Sequence, residues 1–304
     1  MKKNILYAAM MGIALAFTAC SSEGEDVGAP TTPTLNSASL TNEALSLVFN
    51  NVEAPFEEII FSETGKAIIG PIRAAFPESS RRLASSNAGE YIVGTYTTAN
   101  NTYTVMVDGS EYCTLEVASK TGTNTTVKIR LHGETDMSEY EAGIAQKVAA
   151  DEATKTLCRE WTVATTRLRH KNGVTAVKQF EDPAEAASLN AILEYAKTVA
   201  SIDENFDDDM VITSIEFTAN GSFCIFFKNG KHYIGKWSWV NSGDGSLKYI
   251  WNDANMGNKF ENGQATFDVR QYKKVSYYTL TLGAEIVNKN KTYNVELSFY
   301  LKEK

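Results

Sequence analysis

The sequence predicts a mainly β protein, with an N-terminal antiparallel β domain followed by a C-terminal antiparallel β-barrel and two amphipathic helices. Three observations support this fold class. Apolar and polar residues alternate with period two along many short segments, most clearly at 293–301. Asn-Gly and Asn-Asn pairs, which favour tight hairpin turns, separate such segments. Two segments, beginning near residues 138 and 182, carry the capping signals of a helix.

The first nineteen residues contain the three parts of a secretory signal. Lys2 and Lys3 give a positive start, an apolar run spans 5–17, and small residues precede Cys20. The run is about 13 residues long, which is too short to span a bilayer of about 30 Å as a stable helix. The cysteine at the cut resembles the lipobox of bacterial lipoproteins, although Phe17 replaces its usual leucine. This resemblance implies covalent diacylglycerol and acyl groups on Cys20 that attach the protein to a membrane.

Residues 20–39 are rich in acidic residues, Pro, Thr and Ser, a composition typical of a flexible tether. The acidic patch at 23–26 resembles the export signal that sends Bacteroidetes lipoproteins to the outer surface. The resemblance implies lipid anchoring in the outer membrane, on the cell surface rather than on the periplasmic face. An ordinary polar linker is the alternative interpretation of the same residues.

Residues 40–136 are predicted to form the antiparallel β domain. Apolar runs at 59–61 and 67–69 flank a Glu-Thr-Gly turn signal. Asn100 and Asn101 form a natural hairpin corner between two further strands. We therefore expect a meander of short antiparallel strands in this part of the chain.

Two amphipathic helices are predicted near 138–157 and 183–200. Ser138 and Glu141 have the spacing of a capping box, in which serine and glutamate side chains each accept a hydrogen bond from a free backbone amide. Pro183 stands at the first position of the second helix, where its missing N–H is tolerated.

The rest of residues 137–304 alternates as strands between tight turns. Asn-Gly corners at 172–173, 220–221 and 229–230 mark three hairpins. About nine strands follow from this pattern, close to the eight or so that close into a small up-and-down barrel.

This C-terminal part resembles the lipocalin-like domains of Bacteroidetes lipoproteins. The resemblance is carried by Leu157 and Trp161 at the first strand, by 215–223 around a polar Gly turn, and by the Gly-Lys-Trp-Ser-Trp run at 235–239. Arg159 stands where lipocalins place a glycine. Members of this group mostly have no known ligand, so the resemblance implies an architecture rather than an activity.

Charge and cysteine content restrict the function further. The net charge of −8 and the lack of a Lys/Arg stripe argue against a nucleic-acid partner, which needs a basic face. Cys113, Cys158 and Cys224 have neither metal-binding nor redox spacing. We favour buried free thiols on strands, with one disulfide as the alternative.

Aromatic residues on two neighbouring strands are the candidate ligand-binding residues. Tyr233, Trp237 and Trp239 share one face of a strand, and Tyr249 and Trp251 share a face of the next. Such rings could bind a small apolar molecule or a glycan at a barrel mouth. The alternative is that they fill the barrel, as aromatic side chains inside small barrels usually do.

A metal site and an enzyme active site have less support. Asp203, Asn205 and Asp207 match the first positions of an EF-hand loop, but the turn glycine and the final glutamate are missing. A looser Ca²⁺ site is the alternative to a solvated acidic loop. The histidines are isolated in sequence and catalytic motifs are missing, so we predict no catalytic residues, no enzyme activity and no cofactor beyond the acyl groups on Cys20.

The sequence therefore predicts a lipid-anchored envelope protein that binds a small apolar or glycan ligand. The alternative is a structural or interaction protein of the outer membrane, in which a solid barrel docks other envelope proteins. A filled barrel favours the second function, and an open cavity beside Trp237 and Trp239 favours the first.

Overall fold

The computed structural model describes residues 31–35, 44–73, 91–148, 150–170, 177–179, 211–253, 258–288 and 291–304. The predicted signal at 1–19, Cys20, most of the tether and the predicted helix at 183–200 lie outside these residues and stay predictions.

The first barrel contains strands β1 to β8, in which each strand pairs antiparallel with the next and β8 pairs back with β1. This confirms the predicted N-terminal antiparallel β domain. The strands are β1 (Leu45–Val48), β2 (Phe56–Phe61), β3 (Lys66–Ile72), β4 (Ile92–Ala99), β5 (Thr102–Val107), β6 (Ser110–Thr121), β7 (Asn124–Leu131) and β8 (Ser138–Ile144).

The second barrel contains β9 and β11 to β17. Its ring closes because β9 pairs with both β11 and β17, while the short β10 lies beside β9. This confirms the mainly β class and the C-terminal antiparallel barrel. The strands are β9 (Glu160–His170), β10 (Val177–Gln179), β11 (Ile212–Phe217), β12 (Ser222–Phe227), β13 (His232–Asn241), β14 (Ser246–Asp253), β15 (Asn258–Tyr272), β16 (Val275–Asn288) and β17 (Lys291–Glu303).

The predicted helix near 138–157 is wrong over its first half, because those residues form β8. This strand pairs with β7 on one side and with β1 on the other. A helix here would leave the edges of β1 and β7 without backbone partners, so the non-local pairing overrides the capping-box signal. The first barrel therefore ends with β8 rather than at residue 136, and Glu152–Leu157 is the helical part, α1.

Helix α1 packs against one end of the second barrel. Asp151 caps its N-terminus by accepting a hydrogen bond from the Thr154 amide at 2.8 Å. Trp161, which is fully buried, donates from Nε1 to the Leu157 carbonyl at 2.9 Å. Arg159 donates to carbonyls in the last turn of α1 and lies over the Trp161 ring. Within the described residues, helices reach neither the length nor the apolar character that membrane crossing requires.

The Asn-Asn corner and the Asn-Gly corners predicted from the sequence differ in backbone geometry. Asn100 and Asn101 both have positive φ angles, 50° and 62°, as a two-residue type I′ turn requires. At the two described Asn-Gly corners of the second barrel, only the glycines, Gly221 and Gly230, have positive φ, both at 79°. These hairpin predictions are confirmed, while the third corner at 172–173 lies outside the described residues.

Candidate functional site

Four of the five predicted ligand-binding rings, those with described side chains, belong to or pack against the core of the second barrel. Tyr233, Trp237 and Trp239 lie on β13 and belong to or pack against its apolar core, so the prediction that they share a face is correct. Tyr249 on β14 belongs to the same core. Trp251 lies opposite Gly235 in the pairing of β13 with β14, and its side chain is outside the described set.

Trp237 and Tyr249 are interior residues rather than surface residues. Only 4% of Trp237 and 6% of Tyr249 is exposed. Trp237 donates from Nε1 to the Thr218 carbonyl at 3.2 Å and meets the Phe217 ring edge-on at 5.9 Å. Tyr249 meets Phe223 edge-on at 6.3 Å. Neither of these two rings presents a face to solvent.

Inward-facing glycines make room for these rings. A Cβ atom added to Gly235 would overlap the ring of Phe223, its cross-strand partner on β12. A Cβ added to Gly263 would overlap the ring of Tyr249, its partner on β14. Glycine opposite an aromatic residue therefore lets a ring fill the barrel at these levels.

Trp239 and Tyr233 are only partly buried. Trp239 donates from Nε1 to the Thr154 hydroxyl on α1 at 2.8 Å, which connects the β13 ring to the helix. Tyr233 packs edge-on against Phe227 at 5.0 Å. Among the four predicted rings with described side chains, these two are the more exposed.

The other predicted site residues have different outcomes. Asp203, Asn205 and Asp207 lie outside the described residues, so the Ca²⁺ hypothesis stays a prediction. Within the described part, no group of three or more His, Cys, Asp or Glu residues is arranged to hold a metal ion.

The cysteines beyond position 20 are buried free thiols as predicted. Cys113 and Cys224 lie on strands, but Cys158 lies at the C-terminus of α1 rather than on a strand. Burial raises the pKa of each thiol well above its ordinary value, and unreactive thiols are the expected result.

The contact between the two barrels, which we call the joint, was not predicted from the sequence. Its apolar part joins the outer faces of β2, β3 and β4 to those of β12 and β13. The residues involved are Ile60, Ile68, Tyr91 and Val93 of the first barrel and Cys224, Phe226 and Ile234 of the second. The continuous apolar runs at 59–61 and 67–69 could have indicated this contact. A strand that is buried on one face only has alternating apolar and polar residues, whereas these runs are apolar on both faces.

Charged residues surround this apolar contact. The Nζ atom of Lys66, on β3, is 2.5 Å from Glu160 Oε2 and 3.2 Å from Glu216 Oε2. Both carboxylates belong to the second barrel. The Glu216 side chain is fully buried, and the Thr64 hydroxyl also donates to it. The Lys66 ammonium lies 4.2 Å from the centroid of the Phe226 ring. A single lysine therefore connects two carboxylates of the other barrel.

Glu160 stays ionised although it is largely buried. Burial alone would raise its pKa, but hydrogen bonds from Lys304 and Lys66 and one from Ser214 hold the pKa below its ordinary value. The Lys304 ammonium is 2.7 Å from Glu160 Oε1. Two lysines thus neutralise the carboxylates of Glu160 and Glu216.

A second ion pair crosses the joint at Glu58 of β2. Lys236 of β13 places Nζ 2.7 Å from Glu58 Oε2 and donates to Ser222 Oγ at 3.0 Å. The Tyr91 hydroxyl donates to Glu58 Oε1 at 3.1 Å, and the Tyr91 carbonyl lies 3.1 Å from His232 Nε2. The joint is therefore held by directional contacts at several points.

Glu63, in the β2–β3 turn, differs from the other joint carboxylates. It accepts a hydrogen bond from the Ala219 amide at 3.1 Å, across the joint. Desolvation by burial raises its pKa from 4.5 to about 7, and the charge of Glu216 acts in the same direction. Glu63 is thus a carboxyl that can hold a proton near neutral pH.

Comparisons with known proteins add little evidence about the function of this protein. No protein-family model matches the sequence, and a comparison with curated proteins finds no match. The solved structures to which the chain is similar include two mutants of transferrin binding protein B, a vaccine antigen, from Haemophilus parasuis Hp5. The double mutant has 11% identity and a TM-score of 0.21 over 85% of this chain and 44% of that one. The single mutant has 13% identity and a TM-score of 0.20 over 71% and 40%.

The chain spans less than half the length of either transferrin-binding structure. At these TM-scores the similarity carries no argument about architecture or activity. The function of this protein is therefore inferred from the contacts within the chain itself.

Proposed function

We propose that this protein is a lipid-anchored interaction protein of the cell envelope, whose two filled barrels use their outer surfaces to dock another envelope protein. The observation that carries the proposal is the packing of Trp237 and Tyr249 inside the second barrel, where a ligand-binding barrel would keep its rings accessible. The first barrel has an equally buried apolar core.

The anchor in this proposal is the acylated Cys20, supported by the signal pattern of residues 1–19. One acyl chain binds membranes marginally, whereas two or three hold firmly. The Cys20→Ala variant is expected to move from the membrane fraction to the soluble fraction, while a Ser21→Ala control stays with the membrane. Unchanged partitioning of Cys20→Ala would remove the anchor from the proposal.

The acidic patch at 23–26 supports a cell-surface position in the outer membrane. Protease added to intact cells should then digest the folded part, and permeabilisation should not be required. Digestion only after permeabilisation would place the protein on the periplasmic face.

The docking function is tested with a photo-crosslinking amino acid at exposed outer positions in living cells. Thr97 on β4 and Val275 on β16 are both exposed. We expect at least one position to crosslink a specific envelope protein, and the Cys20→Ala variant to lose that product. Crosslinks that persist without the anchor, or none at either position, would contradict docking at the envelope.

Binding of a small apolar or glycan ligand is the competing function, and the partial exposure of Tyr233 and Trp239 favours it. Anilinonaphthalene sulfonate and maltohexaose serve as an apolar and a glycan probe. If either binds saturably, and Trp239→Ala but not Val240→Ala abolishes the binding, the ligand function replaces our proposal. Val240 is a matched control because it is the neighbouring residue and is 60% exposed.

A further inference from the structure

Among the described residues of the joint, the Glu63 carboxyl group forms no ion pair. Lys66 and Lys304 balance Glu160 and Glu216, as the ion pairs above describe. Glu63 lies beside this balanced set and takes its hydrogen bond from a neutral backbone amide. An ionised Glu63 therefore adds a half-buried negative charge without a paired cation to the joint.

The groups that face Glu63 come from several elements. Glu216 on β11 repels its charged form, whereas Lys147, after β8, attracts it. Burial is the main reason why the pKa values of the Cys158 thiol after α1 and of the Tyr96 phenol on β4 are raised. The charge of Glu63 acts on both groups in the same direction. Lys147 is exposed, so solvent screens its attraction for Glu63.

We propose that the joint is a proton-dependent contact: a proton on Glu63 lets the two barrels dock tightly, and loss of that proton loosens their contact without unfolding either barrel. The positions of the hydrogen bonds explain why opening of the joint does not unfold the barrels themselves. Glu63 meets the second barrel at the turn after β11, and the amide of Val148 donates to the Ala219 carbonyl of the same turn at 2.7 Å. These hydrogen bonds involve residues in turns and connections, not the strands that enclose the two barrel cores.

The direction of the effect follows from proton binding. With the barrels docked, the pKa of Glu63 is about 7, and solvent would return it to about 4.5 when they separate. The docked form therefore binds more protons, so docking is strongest at low pH and weakens as the pH rises from about 4.5 to about 7. These two pKa values correspond to a roughly 30-fold increase in the opening equilibrium constant between about pH 5.5 and about pH 8.5.

Hydrogen exchange of the full folded chain measures this opening. Protection factors, corrected for the intrinsic exchange rate, should fall by roughly 30-fold over that pH range at the amides of Ala219 and Val148. The amides of Leu115 and Ile225, in the strands of the two barrels, should keep their protection. A pH-independent protection factor at Ala219 would overturn the proposal, as would an equal loss at Leu115 and Ile225.

Glu63→Gln supplies the decisive variant, because its amide oxygen can still accept the Ala219 hydrogen bond but cannot ionise. It should show high protection at Ala219 with no pH dependence, whereas the exposed control Glu139→Gln should keep the wild-type slope. A wild-type slope in Glu63→Gln would overturn the proposal. If that variant does not fold, carbon-13 titration of the Glu63 carboxyl in the wild-type chain decides: a midpoint near 7 supports the proposal, and one near 4.5 overturns it.

Discussion

The two barrels are built from similar strand meanders but are filled in different ways. The first has a mostly aliphatic core, including Leu47, Ile59, Val105, Leu115 and Ile129. The second is filled largely by aromatic rings, including Trp161, Phe217, Phe223, Trp237, Tyr249, Phe267 and Tyr278. The same architecture can therefore be packed by different residue types when the space inside is adjusted to suit.

Glycine residues provide the space that each kind of core requires. In the first barrel a Cβ at Gly94 would overlap the backbone carbonyl of Met106, so this glycine permits close approach of two strands. In the second barrel the glycines at 235 and 263 make room for rings instead. An aromatic core thus depends on glycines in a way that an aliphatic core does not, and this difference can be measured.

The largest expected effect comes from the joint that unites the two barrels. Lys66→Met should lower the free energy of unfolding by about 3–5 kcal/mol, because it leaves Glu160 and Glu216 buried without their shared cation. Lys128→Met, on a partly exposed position of β7, is the control and should change stability by at most about 0.5 kcal/mol. Equal urea midpoints for the two variants would mean that the joint adds nothing to stability.

A smaller effect is expected from the glycines that distinguish the two cores. Gly235→Ala should destabilise the protein by about 1–3 kcal/mol, because the added methyl group meets the Phe223 ring. In the first barrel, Gly143→Ala has no atom closer than 3.8 Å to the new methyl group and a φ that alanine accepts, so it should be neutral or slightly stabilising. Thermal unfolding of both variants checks this, and a harmless Gly235→Ala would argue against a tightly filled barrel.

The smallest expected effect concerns α1, which packs on the second barrel. Asp151→Ala removes the side-chain oxygen that accepts from the Thr154 amide and should lower the stability of the protein slightly. Asp151→Asn keeps a capping oxygen and should be nearly neutral. Denaturant titration followed by tryptophan fluorescence compares the two variants, and identical losses would indicate that charge rather than capping matters.

Local signals in the sequence predicted much of this fold. The Asn100-Asn101 corner and the alternation of Tyr233, Trp237 and Trp239 depend only on neighbouring residues, and both predictions are correct. The capping box at Ser138 is an equally local signal, but distant strands decide the outcome there. Strand pairing across the barrel is not visible in a window of a few residues.

The candidate site was harder to predict for the same reason. Whether Tyr249 binds a ligand or fills the core depends on Gly263 and Phe223, which lie on other strands. At the joint, Lys66 and Glu216 look like ordinary polar positions on half-buried strands until the two barrels meet. Only the unbroken apolar runs of β2 and β3 indicated that a second face of these strands is covered.

We expect the joint to make the two barrels a single cooperative unit. All four tryptophans belong to the second barrel, so their fluorescence follows that barrel alone, while labelling of the buried Cys113 thiol follows the first. Urea unfolding at about pH 6, followed by both probes on the same chain, should give one coincident transition. Two separate midpoints would instead show that the barrels unfold independently and that the joint does not couple them.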